Sequence, residues 1–348
     1  MAYTTINKST DYFNNKLYTG TGSSQNITGV GFQPDFTWLK SRSNTDYHAL
    51  QDAVRGVTKQ LATNTTGTQT SYTNGVTAFG TDGFTVDSAN WSNRNSGTFA
   101  SWNWKAGTTS GIATNGATTI TPGGYSFNQT SGMSIINYDG NNTAGAKVAH
   151  GLGATPDMMI VKAMNSTAHW GIYHKDIGNT HYMQFDNNAK LDDAGVWNDT
   201  SPDSVNFTVG NSDKTNTVTY IAYCFSEKVG YSKFGKYVGN GNTDGAFIYT
   251  GFKPAFVIRK RTSGTGKWIV QDSKRPSSQP FNEKRGELYA DDSATESSSQ
   301  YYVMDFLSNG FKNRSVDSEV NGSGSSYIYM AFAEAPLVGS NNVPCTAR

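Results

Sequence analysis

Apolar and polar residues alternate in short stretches of this chain, and the stretches come in three sets. Phe36, Trp38 and Lys40 alternate with Thr37 and Leu39, and Phe256 and Ile258 alternate with Val257 and Arg259. Tyr327, Tyr329 and Ala331 share one face of a strand whose other face carries Ile328, Met330 and Phe332. Period two marks β-strands, and apolar residues on both faces mark central strands covered on both sides. A helical spacing occurs at Leu50, Val54, Val57 and Leu61, interrupted by Gly56. It predicts at most one or two helical turns, because the third-set counterpart contains Pro276.

The sets are copies of one unit. Gly31-Phe-Gln-Pro-Asp-Phe-Thr-Trp-Leu-Lys40 is repeated as Gly251-Phe-Lys-Pro-Ala-Phe-Val-Ile-Arg-Lys260, and more loosely as Gly153-Ala-Thr-Pro-Asp-Met-Met-Ile-Val-Lys162. A tyrosine and a turn precede each copy (Tyr18-Thr-Gly, Tyr138-Asp-Gly, Tyr237-Val-Gly). An aromatic strand follows each: Phe99–Trp104, Tyr220–Phe225 and Tyr327–Phe332. From the proline to the last aromatic the separations are 70, 69 and 78 residues (34 to 104, 156 to 225, 254 to 332). Landmarks held at a near-constant distance mark one supersecondary unit used three times. The expected division is residues 11–107, 124–230 and 231–336, with 108–123 as a linker or added hairpin and 337–348 as a tail. Units of about 100 residues are long enough to bury a core each.

Composition sharpens the fold class. Aromatics make up 13% of the 348 residues and charged residues only 16%, which separates this chain from disordered ones. Short β-branched and aromatic runs between Gly, Asn, Ser and Asp clusters predict an all-β chain of three tandem jelly-roll, concanavalin-like β-sandwiches. A formal net charge of +1 gives no electrostatic ground for nucleic acid as a partner. The patch Arg259-Lys260-Arg261 is expected to be a solvated strand end. Cys224 reads as a buried thiol and Cys345 as an incidental exposed one, so no disulfide scaffold is expected. The first residues show no basic and apolar signal pattern, and no run reaches the ~18 apolar residues of a membrane helix, so neither secretion nor membrane insertion is expected.

Candidate chemistry is sparse. Asp52 with Arg55 recurs as Asp272 with Arg275; recurrence in two copies favours a turn-closing ion pair over a catalytic or ligand-binding one. His150, His169, His174 and His181 cluster in sequence, but a five-residue step puts His169 and His174 on opposite strand faces, and no metal or other cofactor is expected. The neighbours Asp192-Asp193 and Asp291-Asp292 read as solvated turns rather than a glycosidase pair. Asp139-Gly-Asn141-Asn-Thr143 begins like a calcium loop but lacks the glycine and glutamate that complete one. Aromatics in loop-like context remain: Trp91, Trp197 and Tyr301, the candidates for stacking on carbohydrate or a partner protein.

The opening Tyr-Phe-Asn-Asn-Lys-Leu-Tyr-Thr-Gly (12–20), the strand Gly31–Lys40, and the endings Trp-Asn-Trp-Lys-Ala-Gly (102–107) and Tyr-Met-Ala-Phe-Ala-Glu-Ala-Pro (329–336) resemble repeats in structural proteins of marine tailed bacteriophages. The resemblance implies a virion component of tandem lectin-like β-sandwiches, often labelled tail fibre, and carries over no catalytic or binding residue. The expectation is a non-enzymatic, homo-oligomeric virion protein assembled in a host cytoplasm beside other tail or capsid proteins. As a tail-fibre adhesin it would bind a host surface glycan or protein. The alternatives are a capsid decoration protein or head fibre clipped on by residues 1–11 or 337–348, and a polysaccharide-degrading enzyme. Three copies in one chain could also imitate a trimer.

Overall fold

Strand propensity and alternation dominate the chain, and the computed structural model, which describes residues 3–186, 188–275, 282–298 and 301–338, is nearly all β with several antiparallel sheets. One strand order occurs three times. In the first unit the sheet runs Phe13–Thr19, Thr98–Trp104, Phe36–Ser41, Ala49–Asp52. In the second it runs Met133–Asp139, Thr219–Phe225, Met158–Ala163, Gly171–His174, with Gly124–Asn128 added outside the first strand. In the third it runs Ser232–Val238, Ser326–Pro336, Phe252–Arg261, Ile269–Asp272, with Leu288–Tyr289 beyond the last. Each unit also forms a smaller outer sheet: Gln25–Thr28, Gly83–Val86 and Val76–Gly80; Ala146–Ala149 and Asn206–Val209; Phe247–Tyr249, Gly310–Asn313, Met304–Leu307 and Glu283–Lys284.

The tyrosine and the late aromatic strand of each unit meet across the ladder. Tyr18 pairs with Phe99, Tyr138 with Tyr220 and Tyr237 with Tyr327, each stacked at 4.8–5.3 Å between ring centroids. Cross-strand aromatic pairs of this kind pin strand register. The three tyrosine hydroxyls each donate to a main-chain carbonyl, of Ser92, Thr215 and Val320.

The major core is shared, contrary to the expectation of one core per unit. Its members come from all three large sheets, whose central strands are buried on both faces. The final aromatic of each unit lies at its centre. Trp104, Phe225 and Phe332 contact one another with centroids 5.5–6.5 Å apart, so the three large sheets surround a pseudo-three-fold axis. The outer sheets seal smaller cores, such as Ile27, Leu39, Phe84 and Val86 in the first unit and Ile248, Val257, Phe306 and Phe311 in the third. In the outer sheets a Cβ at Gly83 would lie 1.9 Å from the Ile27 carbonyl oxygen, and one at Gly310 would lie 2.1 Å from that of Ile248. Those two positions therefore need glycine.

Two segments outside the units tie the ring together. Residues 108–123 lie along the second unit through bridges Thr108–Phe127 and Ile120–Val148. Near the N-terminus, the Tyr3 hydroxyl donates to the Gly251 carbonyl (2.9 Å), Thr4 Oγ1 donates to Val229 (2.7 Å), and Ile6 enters the shared core. Residues 50–61 contain no helix: Leu50 and Leu61 pair in an antiparallel bridge, and the apolar spacing serves a hairpin. Pro276 and Cys345 lie outside the described residues, as does the tail from residue 339.

Because the axis is one cluster, Phe225→Ala should destabilise the chain by about 3–5 kcal/mol and leave a single cooperative transition. Guanidinium melts followed by tryptophan fluorescence and far-ultraviolet circular dichroism check this; independent unfolding of the units would contradict it.

Candidate functional site

The residue pairing with Phe36, Met158 or Phe256 ends the fourth strand of each large sheet, and these residues are Asp52, His174 and Asp272. Each reaches the next unit. The Tyr223 hydroxyl donates to Asp52 Oδ2 (2.7 Å), His174 Nε2 donates to the Tyr329 carbonyl (3.2 Å), and Trp102 Nε1 donates to Asp272 Oδ2 (3.1 Å). The contacts run first unit to second, second to third, and third to first, closing a ring. Arg55 and Arg275 bind the two aspartates at 2.5 and 2.7 Å, and all four side chains are at most 1% exposed. Each guanidinium also donates to a main-chain carbonyl, of Leu50 and Val270. These four side chains are closed off from solvent, and their charges are satisfied within the fold.

A second ring lies nearer one end of the axis. Lys40, Lys162 and Lys260 occupy equivalent positions two residues beyond Trp38, Ile160 and Ile258, and all three are fully buried. Their ammonium groups donate to main-chain carbonyls: Lys40 to Ser41, Asn44 and Ser293, Lys162 to Thr66 and Ala163, and Lys260 to Gly266. Through Ser293 and Thr66 the first two hold loops of the preceding unit. The patch at 259–261 is therefore not a solvated strand end. Arg259 is 1% exposed and donates to Asn313, Gln271 and the Tyr302 carbonyl, because the outer sheet and loops of its own unit cover what sequence presents as an edge.

Above the lysines the axis opens into a pocket of about 530 Å³ lined by all three units. Phe185 forms its floor, in edge contact with Trp38, Trp170 and Trp268, one from each unit. The walls carry Tyr47, His169 and Lys267 at one equivalent position and Asn64, Asp186 and Asp291 at another. Asn64 Oδ1 accepts from the His48 amide (3.1 Å), and Asp291 Oδ1 accepts from the Trp268 amide (2.8 Å). Burial raises the Asp291 carboxyl above its ordinary value, so Asp291 is not the solvated turn residue its sequence suggests. Lys267 Nζ is bound to Asp292 at 2.6 Å.

The sequence-selected aromatics separate. Trp197 is 1% exposed and packs on Tyr173 in the second unit's core, so it is not a stacking surface. Its polar flanks misled: Asp193 caps a four-residue helix that turns the indole inward. Trp91 is half-buried against Tyr72 and lines a pocket of about 320 Å³ beside Tyr47. Tyr301 is 60% exposed and borders a cleft of about 790 Å³ with Arg285, Asp305 and Arg314. Sequence reasoning missed Phe247 and Tyr249, which are 45% and 52% exposed on the outer sheet of the third unit. Their signal was the period-two step across buried Ile248. Among the described residues no cluster of three metal-ligating side chains occurs; His174 and His150 are buried, while His169 is exposed. Cys224 is fully buried, and burial pushes its thiol up.

Removing one partner of a buried pair leaves the other charge uncompensated. Asp272→Ala should cost about 3–5 kcal/mol. The double variant Asp272→Leu, Arg275→Met should cost less than Asp272→Ala alone, as read by denaturant midpoints.

Burial lowers the three ring lysines from 10.5 to about 8, and it lowers His150 and His174 to about 4. The unfolded chain therefore binds more protons between pH 4 and 6.5 and again between pH 8 and 10.5, so stability should rise with pH in both windows. Calorimetric Tm against pH checks this, and Lys40→Met with Lys162→Met should flatten the alkaline rise.

No curated protein and no solved structure matches the chain. A model described only as a domain of unknown function, DUF7483, matches residues 8–336, which takes in all three large sheets. The chain belongs to the DUF7483 family.

Proposed function

We propose that the protein is a non-enzymatic structural component of a tailed-bacteriophage virion, built from three jelly-roll, lectin-like sandwiches. In this reading it acts as a tail-fibre or adhesin unit that binds a host surface glycan or protein. The supporting observation is where the exposed aromatics fall. An adhesin grown from a repeated unit keeps its architecture in every copy and diverges in the copy that binds. Phe247 and Tyr249 of the third unit stand where the first unit has Asn26 and Thr28 and the second has Lys147 and Ala149, by the ladder equivalence of the three outer sheets. Tyr301 adds a third exposed aromatic to the same unit. Half-exposed aromatics beside charged Lys312, Arg314 and Asp305 have the mixed apolar and polar character of a recognition surface.

A second reading, a capsid decoration protein or head fibre, is favoured by the closure of three large sheets around one axis. Such a chain presents three related faces to a three-fold lattice position with a single copy.

Cryo-electron microscopy of virions carrying a tagged chain separates the two: adhesin function predicts density at the tail periphery, and decoration predicts density on the shell. Purified chain should also compete with virions for host adsorption. Phe247→Ser with Tyr249→Ser should abolish that competition without lowering Tm; undiminished competition would remove the outer sheet from the binding role.

A further inference from the structure

The pocket on the pseudo-three-fold axis combines a frame that is the same three times with contents that differ between copies. The frame is Lys40, Lys162 and Lys260, identical in type, burial and kind of hydrogen bond. Immediately above, the equivalent positions hold Tyr47, His169 and Lys267, and then Asn64, Asp186 and Asp291. Pure scaffolding would tolerate one residue type at a three-fold position. Here one position carries a different group in every copy and the other carries an amide once and a carboxylate twice, so the pocket presents one asymmetric set of groups to one orientation of a ligand.

We propose that this axial pocket is a binding site for an uncharged saccharide of one or two pyranose units. The proposal goes beyond the adhesin reading above, because the axial pocket is a site separate from the exposed aromatics of the third unit's outer sheet. At about 530 Å³ the pocket lies within the ~300–1,000 Å³ of typical small-ligand sites. Tyr47, 56% exposed, offers a ring face to the C–H side of a sugar. Asn64, Asp186 and Asp291 supply acceptors for hydroxyl groups, while His169 and the hydroxyls of Thr65 and Thr66 supply donors or acceptors. The charge balance argues against an acidic ligand. Two carboxylates line the pocket; its lining ammonium, Lys267, is already paired with Asp292, and the three lysines beneath keep their ammonium groups on main-chain carbonyls.

The test uses the full chain and a panel of methyl glycosides of glucose, galactose, mannose and N-acetylated hexosamines, with glucuronate as the acidic control. Binding is read by saturation-transfer NMR and calorimetric titration at millimolar concentration. At least one neutral sugar should saturate the chain and glucuronate should not. Tyr47→Ala and Asp186→Ala should each weaken binding about tenfold or more, and Val238→Ser, on an exposed strand face away from the pocket, should leave it unchanged; both axial side chains are exposed or half-exposed, so unaltered Tm confirms folding. No binding by any neutral sugar, or binding indifferent to both axial variants, overturns the axial assignment. If adsorption competition persists in that case, the receptor reading stands without this site. If virions place the chain on the capsid shell while the sugar titration succeeds, the receptor reading falls and the pocket remains.

Discussion

Everything else in this molecule depends on the mutual packing of Trp104, Phe225 and Phe332 on the axis. These rings come from the last strand of each unit, a central strand hydrogen-bonded on both sides in its sheet. To bring them together, each unit must turn an entire apolar face away from its own outer sheet and toward the other two units. No unit then buries its large sheet alone. Apolar burial of this extent is the dominant favourable term in folding, and here most of it is held in common. The strap of Tyr3, Thr4 and Ile6 reaches the junction of the second and third units and completes the closure.

Apolar packing is non-directional, so it does not by itself select the rotation of one sheet against the next. The ring of polar contacts does. Asp52, His174 and Asp272 sit at one register position and each meets a specific group of the following unit. A slip of one residue would leave a buried carboxylate or imidazole without its partner, at a cost greater than most contacts contribute. The middle unit shows how much the ring tolerates. It replaces the Asp–Arg pair with His174 and Ile177, and burial keeps that histidine neutral well below ordinary pH, so no second charge is needed. The lysine ring works at the other end by the same logic, with main-chain carbonyls in place of carboxylates. Its ammonium groups fix the loops that become the walls of the axial pocket.

Much of this was legible in one dimension. The period-two strands, the buried tryptophans 38, 102 and 104, the buried Cys224 and the Asp52–Arg55 and Asp272–Arg275 ion pairs all follow from alternation and recurrence, which are local. The misreadings share one cause. Arg259 and Lys260 looked solvated, Trp197 looked exposed and residues 50–61 looked weakly helical because each was judged against its chain neighbours. In the fold, the outer sheet and loops of the same unit cover the two cations, a capped turn redirects the indole, and a hairpin uses the apolar spacing. Phe247 and Tyr249 were overlooked for the opposite reason: their flanking residues suggested an ordinary strand, and only the identity of the covered face marks them as exposed.

The sequence by itself determined an all-β chain, its three-fold internal repetition, and the positions of the aromatic landmarks, because strand alternation and repeat spacing are written into residue order. Only the tertiary structure decided that those landmarks converge on one axis, that charged side chains lie inside the ring, and that residues of five different types from three units line one pocket. Which faces meet depends on contacts between residues more than 100 positions apart, such as Asp52 with Tyr223 and Trp102 with Asp272, and no local pattern in the chain encodes them.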